Sequence, residues 1–377
     1  MNIAYVIGSL STHGGLQRIL ADKTNALCRM PDVNVFIICT AGCPESRPAF
    51  EIDSQVHIVY NTNFFEPGKT KLHVNPFLFG IKLLRWRRSR RNEIKRFVQT
   101  HNIDIIVYNT YNSYYMPCRP GCKVIVESHT ERASTKIPQK RKFLRRLRSA
   151  DALVAITDAD CAQWPEARRT FSIPNFTTFK PATPYNPDTR RVMAAGRLDV
   201  QKGFDILVNA WRTVARVHPD WSLDIYYVPY AGIELADLLS LINEADLSHC
   251  INLCEASADM AATFSEHSLF VLSSRYEGFG LVLIEAMACG VPCVSFDCPE
   301  GPSEIITDGE DGWLVPFRGL SDEERADALA DALCDAIANR DKRLRFSDTA
   351  QKSVRRFTPE VVMPQWLDLF NSITSHK

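Results

Sequence analysis

RYEGFGLVLIEAMACGVPCVSFDCPEGPSEII, Arg275 to Ile306, is the stretch that decides the fold. It opens with Glu277 and two glycines, Gly278 and Gly280, continues as a helical pattern over Phe279–Ala288, and closes on a β-branched run, Pro292–Phe296. Between Gly278 and Phe296 the only charged residue is Glu285. A lone carboxylate in an apolar helix–strand unit is costly to bury unless something binds it. Two carboxylates, flexible glycines and a helix start within one short span point to a ligand site.

Outward from this block the same unit recurs. Strand candidates in the first half are Ile3–Ile7, Val33–Cys39, Val56–Tyr60, Ile103–Asn109, Lys123–Glu127, Ala152–Ile156 and Phe171–Ile173. In the second half they are Arg191–Ala195, Leu223–Val228, Ile251–Cys254, Leu269–Leu272, Pro292–Phe296 and Trp313–Val315, with helical patterns at Phe204–Val217, Glu234–Ala245 and Phe279–Ala288. Unbroken apolar runs are the mark of parallel strands covered on both faces. Their alternation with helices predicts two doubly wound α/β domains. Pro181, Pro184 and Pro187 place a linker at 181–188. The expected organisation is thus a domain over 1–180, the linker, a second domain over 189–355, and a last helix within 356–377 that packs back on the first domain.

A length of 377 residues suits two ordinary cores. The zero net charge hides an asymmetry: residues 1–180 carry 27 Lys and Arg against 14 Asp and Glu, and residues 181–377 carry 17 against 30. The first half is therefore the one attracted to anions or an anionic membrane. The start, MNIAYVIGSL, has no basic n-region or cleavage pattern, and no apolar run reaches the roughly 18–20 residues of a membrane span. The expectation is a cytoplasmic protein whose twelve cysteines are reduced. Four cysteine pairs have CxxxC spacing (Cys39/Cys43, Cys118/Cys122, Cys250/Cys254, Cys289/Cys293), without the CxxC spacing or histidine of a zinc site. They read as buried apolar residues, and no metal site is expected.

In open α/β sheets ligands sit at the carboxyl ends of strands. His13, Gly14 and Gly15 follow the first strand and precede a helix, a place for phosphate or a plain turn. His129, flanked by Glu127 and Glu131, lies just beyond Lys123–Glu127; it suits a sugar hydroxyl, a proton shuttle, or only its own loop. Gly196, Arg197, Lys202 and Gly203 follow Arg191–Ala195; two cations beside a helix start suit a diphosphate, and equally are surface cations. Glu277 and Glu285 are also the residue types of a glycosidase acid/base couple, though such couples rarely share one strand–helix turn. Asp158 and Asp160 form a DxD, either a metal holder or a helix N-cap region with Thr157.

Two basic runs stand apart. Lys82–Arg96 holds eight Lys and Arg against Glu93, with Phe77, Leu78, Phe79, Leu83, Leu84 and Trp86 in or just ahead of it, and Lys136–Arg148 holds seven and no acid. They suit an anionic membrane surface at the inner face of the cytoplasmic membrane, or are solvated faces. No nucleic-acid motif accompanies them.

Taken together, Gly14-Gly15, Ile173-Pro174-Asn175, Gly196-Arg197-Leu198 with Lys202-Gly203, and the E-x7-E spacing of Glu277 and Glu285 make the chain resemble the retaining, nucleotide-sugar-dependent glycosyltransferases of family 4. The resemblance runs nearly end to end, and residues 296–306 look like the branch that builds bacterial surface polysaccharides such as lipopolysaccharide or capsule. It implies the GT-B fold, two facing Rossmann-like domains with a deep interdomain cleft. It implies that Arg197 and Lys202 hold the donor diphosphate, Glu285 the ribose hydroxyls and Glu277 the sugar. Phe279, Gly280 and Leu281, beside Gly278 and Gly196, would offer backbone groups; His129 and Gly14-Gly15 would close on sugar and acceptor. The implied reaction moves a hexosyl or N-acetylhexosaminyl unit from a UDP-sugar to a saccharide or lipid-linked acceptor, with no cofactor and no metal. A nucleotide-sugar epimerase, a sugar phosphorylase and a non-catalytic sugar- or membrane-binding relative are the alternatives. One departure is the turn IYYVPYAGIEL, where the family commonly has more glycine than Gly232.

Overall fold

The computed structural model describes residues 1–12, 14–40, 47–60, 76–109, 120–129, 132, 140–229, 235–257 and 259–375. His13, Cys43, Cys118, Glu131, Lys136, Tyr230 and Gly232 lie outside the described residues, as do the side chains of 76–83, 86, 87, 90, 140 and 142. The chain forms two compact units, Met1–Pro174 with Val362–Lys377, and Asn175–Val361.

The first unit runs β1 (Asn2–Ile7), α1 (Gly15–Cys28), β2 (Asn34–Cys39), β3 (His57–Tyr60), α2 (Pro76–Thr100), β4 (Ile105–Asn109), β5 (Lys123–Glu127), α3 (Lys140–Leu147), β6 (Ala152–Ala155), α4 (Asp158–Ala162) and β7 (Thr170–Ser172). Its seven strands are all parallel in the order β3-β2-β1-β4-β5-β6-β7. Ile3 of β1 sits opposite Val35 on one side and Ile105 on the other. β4 is buried throughout and so is β1 past its first residue, which is why they read as unbroken apolar runs. Ile94 and Val98 of α2, Phe143 and Leu147 of α3, and Trp164 close the core on these strands.

The second unit runs β8 (Arg191–Arg197), α5 (Phe204–Val217), β9 (Ser222–Val228), α6 (Leu235–Glu244), β10 (Ile251–Glu255), α7 (Met260–Ser265), β11 (Leu269–Leu272), α8 (Leu281–Ala288), β12 (Cys293–Phe296), α9 (Pro302–Ile305), β13 (Gly312–Val315), α10 (Asp322–Ala338) and α11 (Arg340–Ser353). Its six strands are parallel in the order β10-β9-β8-β11-β12-β13. Trp211 and Val214 of α5 and Leu329 and Leu333 of α10 pack into one core with Leu223, Ile225 and Val271 of the sheet. α10 is started by a capping box, Ser321 with Glu324. The last helix, α12 (Pro359–Thr374), buries Val362, Trp366, Leu369, Phe370 and Ile373.

The change of unit comes at Pro174, ahead of the proline segment. Tyr185 Oη donates to Ser268 O at 2.7 Å, Arg343 Nη2 donates to Pro187 O at 3.0 Å, and Arg340 forks onto Asp188 at 2.8 Å. Residues 181–188 are thereby tied into the second unit. At the other end, Thr177 N donates to Phe357 O at 2.9 Å and Arg356 Nη2 to Ile305 O at 2.7 Å, which keeps 356 and 357 in the second unit as well. The ten described cysteines are free thiols. Among the described residues no helix is long and apolar enough to cross a membrane.

Candidate functional site

In the second unit the strand order reverses at β8, with β9 and β10 on one side and β11 to β13 on the other. The carboxyl ends of β8 and β11 flank that switch point, the usual ligand position of an open α/β sheet. β8 runs through Arg197, two residues past the expected Ala195, because Arg197 still pairs with Val228 of β9. Asp199 then starts a tight turn over Val200–Lys202, its Oδ1 accepting from Lys202 N at 3.2 Å. Gly203 ends the turn at φ 63° and opens α5. A side chain there would collide with the carbonyl oxygen of Ser273, so this glycine is required twice over, by backbone angle and by space.

That close approach stitches together two loops far apart in sequence. Ser273 Oγ donates to Lys202 O at 2.8 Å, Arg275 N donates to Gln201 O at 2.7 Å, and Gln201 Nε2 donates to Tyr276 O at 2.9 Å. Arg275 forks onto Asp205 at 2.8 Å and reaches Asp322 at 2.6 Å, fixing the loop from its outer side. The result is a contact between expected site residues: Lys202 Nζ lies 2.7 Å from Glu277 Oε1, and Ser274 Oγ donates to the same oxygen at 2.5 Å. Glu277 is only 8% exposed. Gly196 makes room for the lysine, since a Cβ there would come within 2.9 Å of Lys202 Cγ and Cδ. Arg197 pairs with Asp199 Oδ2 at 3.0 Å and donates to Gln201 Oε1 at 2.9 Å, with its guanidinium half-exposed.

Past Glu277 and Gly278 the backbone enters α8 through Gly280 at φ 94°, with no side-chain cap. The first-turn N–H groups of α8 therefore have no side-chain acceptor at the cap position, a setting that favours an anion. Phe279 is buried, edge-on to Phe357 at 5.4 Å, so only its backbone is available. Leu281 and Glu285 are half-buried and lie one turn apart on the same side of α8.

In the first unit the chain also reverses beside β1. Gly14 is the extended cap residue of α1 and Gly15 its first residue. From α1, Lys23 points at the end of β5: its Nζ lies 2.7 Å from Glu127 Oε1, with both side chains buried. Glu127 Oε2 is 2.8 Å from His129 Nε2. The ammonium of Lys23 also sits 3.9 Å from the ring centre of Trp366 in α12. Burial pushes Glu127 toward the neutral acid, but Lys23 and His129 outweigh it and hold the carboxyl well below its ordinary range. Burial lowers Lys23, and Glu127 opposes this. These side chains, with Tyr5 and Asn109, line a cavity of about 10 Å³. The buried Tyr5 hydroxyl has no hydrogen-bond partner among the described residues.

Thr157 and Asp160 have structural roles. Thr157 caps α4 by accepting from Asp160 N at 3.0 Å, and Asp160 accepts from Trp164 Nε1 at 3.2 Å. Among the described residues no three or more His, Cys, Asp or Glu side chains are grouped to hold a metal. In the basic runs, α3 turns Phe143 and Leu147 inward and leaves Arg141, Arg145 and the following Arg148 exposed; on α2, Leu84, Arg85 and Arg88 are exposed.

Lys23, Trp366, Ser274, Asp199 and Gln201 were not singled out by sequence. Lys23 had a signal: it lies on the apolar stripe of α1 between Ile19 and Leu27, where a cation needs a buried partner.

Residues 175–353 match the family model of glycosyl transferases group 1. A similar curated protein is an uncharacterized glycosyltransferase of Haemophilus influenzae, 24% identical over 373 residues, covering 97% of this chain and 98% of its own length. Another is the amylovoran biosynthesis glycosyltransferase AmsD of Erwinia amylovora, 32% identical over 181 residues; the match covers 48% of each chain. The chain spans less than half the length of AmsD and of an exopolysaccharide phosphotransferase of Streptomyces coelicolor. Among solved structures, a sucrose-phosphate synthase from Thermosynechococcus elongatus superposes with TM-score 0.79 at 19% identity, each chain fully covered. HepE of Anabaena, solved with UDP and glucose, superposes with TM-score 0.69 at 18% identity, covering 99% of this chain and all of its own. The match to the glycosyl transferases group 1 model covers 175–353, and the two parallel Rossmann-like sheets of the chain have the fold of the GT-B glycosyltransferases.

Proposed function

We propose that the protein is a retaining, metal-independent glycosyltransferase of polysaccharide biosynthesis. Its donor is a nucleotide diphosphate sugar, a UDP-hexose or UDP-N-acetylhexosamine, and its acceptor a saccharide or lipid-linked saccharide. The observation that carries the reading is the meeting of Lys202 and Glu277 at the switch point of the second sheet, with Arg197 held by Asp199 and Gln201 of the same turn. The amylovoran and HepE relatives support the polysaccharide and UDP parts of it.

The chemistry follows from charge. The bond between the sugar's anomeric carbon and the diphosphate breaks, and the diphosphate leaves with the electron pair. Arg197, Lys202 and the N-terminus of α8 oppose the negative charge that develops, which is stabilisation by groups already in place. The acceptor oxygen forms the new bond to the anomeric carbon on the face the diphosphate left, and its proton passes to a phosphate oxygen. Glu277 receives sugar hydroxyls while holding Lys202 in place, Glu285 receives the ribose hydroxyls, and the backbone at Gly278–Leu281 meets phosphate or sugar. His129 and the Gly14-Gly15 loop serve the sugar and acceptor. The exposed cations of α2 and α3 hold the protein to anionic lipid, those of α3 without help from Phe143 and Leu147, which are spent on the core.

The test is sugar transfer from UDP-, GDP- and ADP-sugars with and without EDTA. Transfer that survives EDTA, keeps the anomeric configuration and is nearly lost in Arg197→Ala and Lys202→Ala supports the reading. Strict metal dependence, or release of an epimerised nucleotide sugar, overturns it. Flotation with neutral and anionic liposomes checks the lipid contact; equal binding to both removes it.

A further inference from the structure

The buried ion pair of the first unit has no counterpart in the reading above. Lys23 and Glu127 come from α1 and β5, 104 positions apart, and meet at 2.7 Å with almost no solvent access. Placing two charges there is costly, and such a pair is seldom kept for stability alone. It has a further partner on each side. Trp366 covers the ammonium, and the second carboxylate oxygen faces His129 Nε2 at 2.8 Å. Among the described residues, Tyr5 from β1 and Asn109 from β4 add polar groups to the lining of the same cavity.

We propose that Lys23 is a positioning residue that fixes the tautomer of His129 through Glu127. The logic is that of donors and acceptors. An ionised carboxylate only accepts, so the imidazole nitrogen facing it must carry hydrogen. Nε2 is then committed as a donor, and neutral His129 presents Nδ1 as a bare acceptor. A substrate hydroxyl that donates to Nδ1 is recognised, and the same geometry leaves Nδ1 able to take a proton. The direction of the carboxyl's shift agrees, since the lysine keeps Glu127 ionised against its burial. Without the lysine the buried carboxyl takes up a proton, its O–H donates to Nε2, and the imidazole hydrogen moves to Nδ1. The substrate-facing nitrogen then changes from acceptor to donor. That the hydroxyl belongs to the sugar or acceptor rests on the proposed function; the tautomer itself does not.

The experiment is nitrogen NMR on protein labelled with 15N-histidine at about pH 8, above the ordinary imidazole range near 6.5. His129 is picked out among the nine histidines by the spectrum of His129→Gln. Expected is the Nε2–H form in the native protein and the Nδ1–H form in Lys23→Met. Should Lys23→Met not fold, Lys23→Met/Glu127→Gln removes both charges, and the side-chain amide that replaces the carboxylate can accept or donate. Loss of the pure Nε2–H state in that variant supports the proposal. Retention of pure Nε2–H in either variant, or Nδ1–H in the native protein, overturns it. In transfer assays kcat/KM falls about 10²-fold in Lys23→Met, the scale of a misplaced reacting group, while UDP affinity, set in the second unit, is unchanged. Native protein that transfers no sugar refutes the proposed function and leaves the NMR result standing.

Discussion

Replacing Lys202 by Met tests the second-unit site most directly, because it separates what the lysine does for the fold from what it does for the ligand. At 2.7 Å from Glu277, the gross attraction is about 6 kcal/mol at an effective dielectric near 20. Desolvation of two mostly buried groups takes back several kcal/mol each, so the intact pair adds little net stability. The single substitution is a different matter. It leaves a carboxylate that is 8% exposed with the Ser274 hydroxyl and no cation. Orphaning one member of such a pair costs about 3–5 kcal/mol, or a drop of roughly 6–20 °C in Tm for a domain of this size. Lys202→Met/Glu277→Gln removes both charges and should recover most of that loss. Ligand binding follows the other pattern. Both variants lack the cation, so both should lose about 1.5–3 kcal/mol of UDP affinity, roughly 10- to 150-fold, the range of a hydrogen bond to a charged group. Thermal unfolding and calorimetric titration with UDP give the two readouts. A double variant no more stable than the single one refutes the orphaned-charge argument. UDP affinity unchanged in both variants refutes the diphosphate role.

Gly203→Ala should cost at least about 2 kcal/mol, since the new methyl meets a backbone carbonyl at a left-handed residue; a denaturant midpoint equal to the native one rules this out. Arg275→Lys loses the fork onto Asp205 and the reach to Asp322. Because both acids are about half exposed, screening limits the loss to about 1 kcal/mol, with UDP binding weakened through the displaced Gln201–Ser273 loop. A stable variant with native UDP affinity removes that coupling. Glu127 supplies the pH dependence. Its folded pKa, about 2, lies below the unfolded value of about 4.3. Its stabilisation is therefore fully present above pH 4.3 and is lost as pH falls toward 2. Acid unfolding of the native protein should be steeper across that window than that of Lys23→Met/Glu127→Gln, and equal slopes contradict the assignment.

The inner strands were legible because both their faces are covered, so β1, β4, β6, β11 and β12 read as apolar runs whose limits shift by only one or two residues. β8 is an instructive miss: Gly196 reads as a terminator, yet the backbone stays in register with β9 through Arg197. The site residues nearest a strand end were legible for the same topological reason, as Arg197, Lys202 and Glu277 show. Their pairing was not. Lys202 and Glu277 are 75 positions apart, and the Gly203–Ser273 approach with the hydrogen bonds around it brings them together. Trp366 left no local trace, because its cationic partner lies in α1, far away in sequence. The proline segment is mostly exposed, as Pro181, Pro184 and Pro187 signal, and its hydrogen bonds to Ser268 and Arg343, distant in sequence, left no local trace.

The late return of α12 to the first unit bears on how the chain is made. Residues up to Pro174 emerge early, but Val362 and the residues after it, which belong to the same unit, follow 188 positions later. At about 5–20 residues per second that is a wait of roughly 10–40 s on the ribosome. Throughout it, the apolar ground later covered by Trp366, Leu369 and Phe370 is open, and Lys23 lacks its aromatic cover. The second unit, continuous in sequence, can meanwhile fold. The second unit is complete at Val361, so the first unit to leave the ribosome is the last whose chain is completed.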